Sequence, residues 1–356
     1  MKVLFLTFGT NLTASSRVRV YQHIPYLEKE GIETKVCVVY REELLRSSGN
    51  RIKDIVRSAS MLFYRIIKLL YCFFLVPWYD IVFIQKILLP TFLQKVLKRL
   101  NHKIIFDFDD AIYRVHPRAM SLLQHNTRLK WFAHMLEISS CTIVGSNHLK
   151  EVSLRYNDNI LIIPSPIDIW RYYPRKKERG DNGTVIGWIG SPPNIVYLEP
   201  LYNVFRALAR KYPALTIQLV GSNPITLENV NIVNKKWRLE TEVADLQNFD
   251  IGIMPLLDDE WSRGKGGYKL LQYMAVGIPC VASPIGINTD IIRDGLNGFL
   301  VETEEEWLEK LLLLIESPEI RQKMGHAGRK FVERCYSFEV ISPRLVEVLQ
   351  RVMASG

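Results

Sequence analysis

No CxxC pair occurs in this chain, and its five cysteines, at 37, 72, 141, 280 and 335, form no metal-like grouping with histidine. That spacing excludes a structural zinc site and a disulfide scaffold. Four of the five sit in or beside apolar runs, as reduced core thiols of a cytosolic protein do. Low-complexity tracts are absent. So are RNA-binding signatures, zinc-finger spacings and basic recognition helices, so the net charge of +9 is not read as a nucleic-acid footprint. Long uncharged apolar runs are missing too: the uncharged core Leu69–Tyr79 falls far short of the ~20 residues a spanning helix needs. The opening MKVLFLTFGT begins directly as a strand, with an apolar run too short for a signal peptide, so no targeting segment is expected. What the positive charge calls for is a phosphate-bearing small molecule or an anionic lipid surface.

The 356 residues have room for two domains of ordinary size, and 48% hydrophobic with 23% charged residues is a globular balance. Apolar strands are expected at Lys2–Phe8, Thr34–Tyr40, Asp80–Gln85, Lys103–Asp109, Cys141–Ser146 and Asn159–Pro164, with helical segments between them, the first running to about Glu30. A second series begins at Thr184 and continues through LTIQLVGS, NVNIVNKKW, DIGIMPL, CVASP and GFLV. Strands that are apolar throughout and alternate with helices predict parallel sheets covered on both faces, with ligands outside the strand C-termini.

The densest signal lies between Asp258 and Val301. A glycine-rich loop, Arg263–Gly267, precedes a helix over Tyr268–Val276; Gly277 and Pro279 stop it, and Cys280–Ser283 follows as a buried strand. Gly264, Gly266 and Gly267 let backbone amides approach a ligand, while Arg263, Lys265 and Lys269 bring positive charge to a helix N-terminus that already favours anions. The bland alternative is a surface loop with solvated lysines.

The run GYKLLQYMAVGIPCVASPIG, followed by DGLNGFLV, resembles the donor-site segment of family 4 retaining glycosyltransferases, which have the GT-B fold. Members carry two glutamates eight positions apart, the first contacting donor-sugar hydroxyls and the second holding the nucleotide ribose. The matching positions here are Gly264 and Gln272. Gln272 can still bond a ribose diol, whereas Gly264 cannot do the first task, for which Lys265, Asp259 or Glu260 are candidate stand-ins. By the same resemblance Gly190 and Ser191 lie where a diphosphate would sit, Trp237 lies where the base is held (or is plain packing), and backbone amides at Gly286 to Asn288 meet the donor. The arginine–lysine pair that many members place near the first of these is missing, which moves the phosphate contacts onto Arg263, Lys265 and Lys269, beside Gly266 and Gly267.

On the acceptor side, Ser15, Ser16 and Arg17 sit at a helix start and can meet a phosphate or a hydroxyl, unless a serine merely caps the helix. The run Asp107–Asp110 ends the fourth strand, with His116 a few residues on, roughly where family members present a histidine to the reacting sugar. Asp109 or Asp110 would polarise an acceptor hydroxyl or steady positive charge on the sugar; the alternative is helix capping or pairing with Arg114. A DxD metal site belongs to the other large glycosyltransferase fold, so no metal and no cofactor is expected.

Residues 51–79 stand apart. Between Arg41 and Leu70 there are seven Lys/Arg against three Asp/Glu, and Ser58–Tyr79 is apolar and aromatic, broken only by Arg65 and Lys68. That pattern reads as an interfacial anchor on anionic lipid, with a buried helix as its competitor.

The resemblance implies a GT-B protein of two Rossmann-like, doubly wound parallel-sheet domains facing a cleft. Residues 1–168 would form the acceptor domain with helix 337–356 packed back on it, and 169–336 the nucleotide-sugar domain, joined by a linker about Pro164–Pro174 whose closure would exclude water. The implied function is retaining transfer of a sugar from a nucleotide-diphosphate donor, with UDP or GDP expected, to a glycan or lipid-linked hydroxyl. Lys265, Lys269, Gln272 and Asp109 or Asp110 would carry it, in the cytoplasm at the inner membrane face. The alternatives are a non-catalytic partner protein of the same fold and a sugar-nucleotide epimerase.

Overall fold

The computed structural model describes residues 1–39, 51–114, 122–175 and 183–355. It divides into two units, Met1–Pro166 with Gly264–Gly266 and Glu339–Gly356, and Ile167–Arg263 with Gly267–Phe338.

The first unit is built on β1 (Lys2–Thr7), β2 (Glu33–Val38), β3 (Ile81–Gln85), β4 (Ile104–Phe108), β5 (Cys141–Val144) and β6 (Ile160–Ile162). They form one parallel sheet in the order β2-β1-β3-β4-β5-β6. The inner strands are buried along their whole length, as a sheet covered on both faces requires. On one face Val3, Phe5, Phe83, Ile105 and Ile143 pack against Ile341, Leu345 and Leu349 of the last helix, α14 (Phe338–Ala354). The run Gly9–Arg19, expected as a loop, holds α1 (Ala14–Arg19), and the helix expected after it to Glu30 is split into a 3-10 turn at Tyr21–His23 and α2 (Ile24–Lys29). Pro25 explains the break: with no N–H to donate, it suits only the first turn of α2.

Between β2 and β3 runs α3 (Arg51–Leu75), which stops where Pro77 enters the 3-10 turn Val76–Trp78. It is followed by α4 (Thr91–Leu100), α5 (Leu122–Ile138) and α6 (Asn147–Ser153). Cys72 and Val76 anchor the C-terminal end of α3, while Phe63, Leu70, Phe74 and Trp78 are each at least 67% exposed. Of the two sequence expectations for this segment, a wholly buried helix is the one these exposures exclude. No helix among the described residues is long and apolar enough to cross a membrane.

The second unit contains β7 (Val185–Ile189), β8 (Thr216–Val220), β9 (Ile232–Lys235), β10 (Ile251–Met254), β11 (Cys280–Ala282) and β12 (Gly298–Leu300). Its parallel sheet has the order β12-β11-β10-β7-β8-β9. Its helices are α7 (Tyr202–Lys211), α8 (Glu242–Gln247), α9 (Glu260–Arg263), α10 (Tyr268–Ala275), α11 (Asn288–Ile291), α12 (Glu304–Glu316) and α13 (Pro318–Cys335). Helix α10 is buried from Leu270 through Ala275, and Gly252 on β10 makes room for it: a Cβ there would lie 2.5 Å from the Tyr273 ring. Arg329 of α13 ties the unit together by donating to the carbonyls of Ala275 (2.7 Å) and Ile169 (3.0 Å) and to that of Tyr172. Helix α12 opens with a capping box, Thr303 and Glu306 bonding each other's backbone amides.

Candidate functional site

In the second unit β8 and β9 lie to one side of β7 and β10 to the other, so the winding direction reverses between β7 and β10. A ligand crevice is expected beyond the C-terminal ends of those two strands. They pair only at Ile251–Ile186 and Gly252–Gly187 and then diverge. The backbone groups left behind are taken up by one side chain: the Tyr273 hydroxyl accepts from the Ile189 N–H (3.1 Å) and donates to the Ile253 carbonyl (3.3 Å). Burial pushes the Tyr273 pKa upward, so the hydroxyl keeps its proton.

At the end of β7, Gly190 leaves the space that Lys269 uses. A Cβ on Gly190 would lie 2.4 Å from the Trp188 ring and 3.0 Å from the Lys269 ammonium nitrogen, which rests 4.4 Å from that ring's centroid. Lys269 stands in the first turn of α10, whose cap, Gly267, takes a left-handed backbone (φ 64°). Cation and helix N-terminus thus lie together at a strand end, an arrangement suited to a phosphate.

One turn further along α10, Gln272 is 4% exposed and its Nε2 donates to the Tyr172 hydroxyl at 3.3 Å. Tyr172 donates in turn to Glu242, whose other oxygen accepts from the Trp237 indole. Tyr172 and Glu242 are both buried. Neither stands out in the sequence, because the contacts of Tyr172 that join the three span 70 and 100 residues.

Other expected donor contacts have local duties. Arg263 is exposed and forms a fork with Asp258 at 2.7 and 2.9 Å. Asp259 accepts from the Ser262 amide and so caps α9. Ser191 accepts from Asn194 at 2.8 Å. Gly286 (φ 57°) packs on the Arg263 carbonyl. Asn288 is fully buried and donates to the Ser283 carbonyl at 3.0 Å.

In the first unit the winding direction reverses between β1 and β3. Here Gln85 supplies the missing partner: its Oε1 accepts from the Phe8 N–H (3.2 Å) and from the Ser16 hydroxyl (2.9 Å). Ser16 also accepts from the Gly9 amide, and Ser15 accepts from Gln85 Nε2 at 3.4 Å. Arg17 donates to the carbonyls of Asn11 and Leu12, holding its own loop in shape. Neither serine caps the helix; Thr13 occupies that position.

Lys86, which sequence reasoning passed over, is the cation of the neighbouring strand end. It has a left-handed backbone (φ 59°), rare for a residue with a side chain, and its N–H bonds the Asp107 carbonyl at 2.8 Å. Its ammonium lies 2.9 Å from Asp109 Oδ1 and also bonds Asp110. Burial works against the Asp109 carboxylate, but Lys86 and then Arg19 outweigh it and hold its pKa below the ordinary range; Ser165 adds a hydrogen bond at 3.2 Å. Asp107 is engaged bidentately by the buried Arg19. The pairing partner of Asp109 and Asp110 is therefore Lys86; Arg114 instead meets His125 at 3.0 Å. His116 lies outside the described residues.

Gly264–Gly266 belong to the first unit. A Cβ on Gly264 would lie 2.5 Å from that of Ala111, and one on Gly266 3.0 Å from the Asp109 carbonyl oxygen, so this backbone leaves no room for a glutamate at 264. Lys265, between them, is half-buried.

Residues 183–317 match the family profile described as glycosyl transferases group 1. A mannosyltransferase of Corynebacterium glutamicum, named as GDP-mannose-dependent and acting on a monoacylated phosphatidylinositol monomannoside, is 26% identical over 215 residues, covering 53% of this chain and 55% of that protein. The chain spans about half or less of the length of the curated relatives it matches, from 19% to 55%. Sucrose-phosphate synthase from Thermosynechococcus elongatus shares the fold over 100% of both chains, with a TM-score of 0.71 at 14% identity. HepE of Anabaena, solved with UDP-glucose, does so over 99% of this chain and 100% of its own, with a TM-score of 0.65 at 15% identity. Residues 183–317 are thus similar in sequence to the group 1 glycosyl transferases, and the two doubly wound six-stranded parallel sheets have the GT-B fold shared with these solved structures.

Proposed function

We propose that the protein is a metal-independent, retaining glycosyltransferase that moves a hexose from a nucleotide-diphosphate sugar to a hydroxyl of a glycan or lipid-linked acceptor. One observation carries the reading: Lys269, seated on Trp188 beside Gly190, stands at the β7/β10 switch point within the segment that matches the family. The charge that grows on the departing diphosphate would be met there by an ammonium and by the N-terminus of α10, where a preorganised dipole is worth most. In the transfer the bond from the anomeric carbon to the phosphate oxygen breaks, and the acceptor oxygen bonds to that carbon. The acceptor proton passes to the departing phosphate oxygen on the same face. Asp109, ionised beside Lys86, is suited to steady positive charge on the sugar. UDP and GDP are the favoured nucleotides, since HepE was solved with UDP-glucose and the C. glutamicum relative is named for GDP-mannose.

The exposed apolar residues of α3 and the following turn, with Lys68 among them, favour a site of action on an anionic membrane surface, in surface-polysaccharide or lipid-linked glycan assembly. The test is nucleoside diphosphate release from UDP- and GDP-sugars, with and without vesicles carrying phosphatidylglycerol. Release from one donor that falls at least about 100-fold in Lys269→Ala supports the donor site. Binding of vesicles that is lost in Phe63→Glu/Phe74→Glu, with soluble-donor turnover unchanged, supports the membrane reading. Failure to bind any nucleotide would exclude the donor site, and wild-type protein that leaves vesicles untouched would exclude the surface.

A further inference from the structure

The resemblance places a ribose-holding carboxylate where this chain has Gln272, and a glutamine is a less certain substitute than it looks. A carboxylate only accepts hydrogen bonds, whereas an amide presents an acceptor on one side and two donors on the other. Flipping the amide would turn a donor toward the ribose hydroxyls. The second unit holds a device that removes this ambiguity.

The chain of hydrogen bonds starts at Glu242, 2% exposed, whose oxygens are engaged by the Trp237 indole N–H and the Tyr172 hydroxyl. Tyr172 donates its single hydroxyl proton to Glu242 Oε1. The Tyr172 oxygen can then only accept, and the group facing it at 3.3 Å on Gln272 must be the NH2. The remaining group, Oε1, is thereby left as the acceptor of the amide. Tyr172 is 1% exposed and its backbone carbonyl is held by Arg329, so the relay does not depend on a mobile side chain. The same carboxylate orients Trp237, which stands beside the end of β8, 3.1 Å from where a Gly221 Cβ would be.

We infer that Glu242 is a positioning residue for the nucleoside of the donor: through Tyr172 it locks Gln272 in the orientation that accepts from a ribose hydroxyl, so the site keeps the recognition of a carboxylate without its charge. This rests on the donor-site reading above. Neutrality has a consequence, because a second negative charge beside the diphosphate would oppose binding.

Calorimetric titration of UDP and GDP against their 2′,3′-dideoxy forms tests it on the whole chain. Wild-type protein is expected to prefer the ribonucleotide by about tenfold, the value of a hydrogen bond whose loss strands a buried acceptor. Tyr172→Phe and, separately, Glu242→Gln should bring the ratio to within about threefold; the ratio is the readout because Glu242→Gln also changes the partner of Trp237, which would alter the affinity for both nucleotides together. Tyr172→Phe/Gln272→Glu should restore the preference, since a carboxylate needs no relay to fix its acceptor. A structural role alone would not produce that rescue. A ribose preference that survives intact in both single variants, with nucleotide still bound, overturns the relay and leaves the donor site standing. Wild-type protein that binds neither nucleotide overturns both.

Discussion

The two sheets have the same number of parallel strands but are wound differently, and the difference shows at the point where each reverses. Counted within its own unit, the first sheet runs 2-1-3-4-5-6 and the second 3-2-1-4-5-6. In the second the strands flanking the reversal pair at only two positions, whereas in the first they pair to their ends at Thr7 and Gln85; in both, a backbone N–H beyond the pairing takes a side-chain partner, since burying it unpaired would be costly. The first unit supplies that partner from within the strand, with Gln85 at the end of β3. The second does so from a helix, with Tyr273 of α10. The helix solution does more, because it fixes the element that also carries Lys269 and Gln272. Charge differs as well. The first unit's strand end holds carboxylates matched by Lys86 and Arg19, while the relay behind Gln272 confines its single carboxylate, Glu242, two hydrogen bonds away.

The harshest way to break this comparison is Lys86→Met. It leaves Asp109 buried with Arg19 and the Ser165 hydroxyl but without its paired cation, and removing one member of a buried pair costs on the order of 3–5 kcal/mol. The sign with pH follows from the direction of the Asp109 shift. Its pKa is lowered by folding, so its contribution is fully present above the unfolded value of ~3.9 and is lost as pH falls through the lower folded value. In the variant the carboxyl is expected to rise instead. Urea denaturation should therefore show a gap between wild type and variant that narrows from pH 7 toward pH 4; an equal gap at both would mean that the ion pair is not what stabilises this strand end.

Tyr273→Phe tests the helix solution. Packing is kept, but the Ile189 N–H and the Ile253 carbonyl lose their partner, and each stranded group costs roughly 1–3 kcal/mol. A loss of roughly 2–6 kcal/mol in the second unit is expected. Because the hydroxyl also seats α10, nucleotide affinity should fall in the same variant. Stability lost with affinity intact would show that the strand ends and the ligand site are separable.

Much of this architecture is written in short-range pattern. Apolar strands bounded by glycine and proline set both sheets, and the Gly277–Pro279 stop sets the end of α10. The buried face of α10 is legible as far as Leu270, Leu271, Met274 and Ala275, but helical spacing cannot distinguish Tyr273, whose hydroxyl acts 84 residues away in sequence. Lys86 is hidden for a related reason: a lysine after an apolar strand looks solvated until the left-handed turn carries it back over Asp109. The expected phosphate role of Arg263 rests on charge alone, and the nearby Asp258 that engages it is equally visible in the sequence. The glycine at 264 is legible only as a departure from the family; the nearness of Ala111 that leaves no room for a side chain there is a property of the fold.

A smaller effect sharpens the contrast between units without touching either strand end. His23 is 2% exposed, its Nδ1 is 2.9 Å from the Ser342 hydroxyl on α14, and burial, with Arg19 adding to it, lowers its pKa to about 3. The unfolded chain takes up a proton near pH 6.5 that the folded first unit refuses. Stability should be complete above that pH and decline by about 1.4 kcal/mol per unit as the pH falls toward about 3. The second unit contains a single histidine, His326, and it is exposed. Hydrogen exchange at pH 7 and pH 5, corrected for the intrinsic rate, should show opening of residues 14–29 and 338–354 at the lower pH, with residues 185–189 and 268–275 unchanged. His23→Gln, which keeps a polar contact to Ser342 but takes up no proton, should abolish the difference; opening that persists in this variant would place the acid sensitivity elsewhere in the first unit.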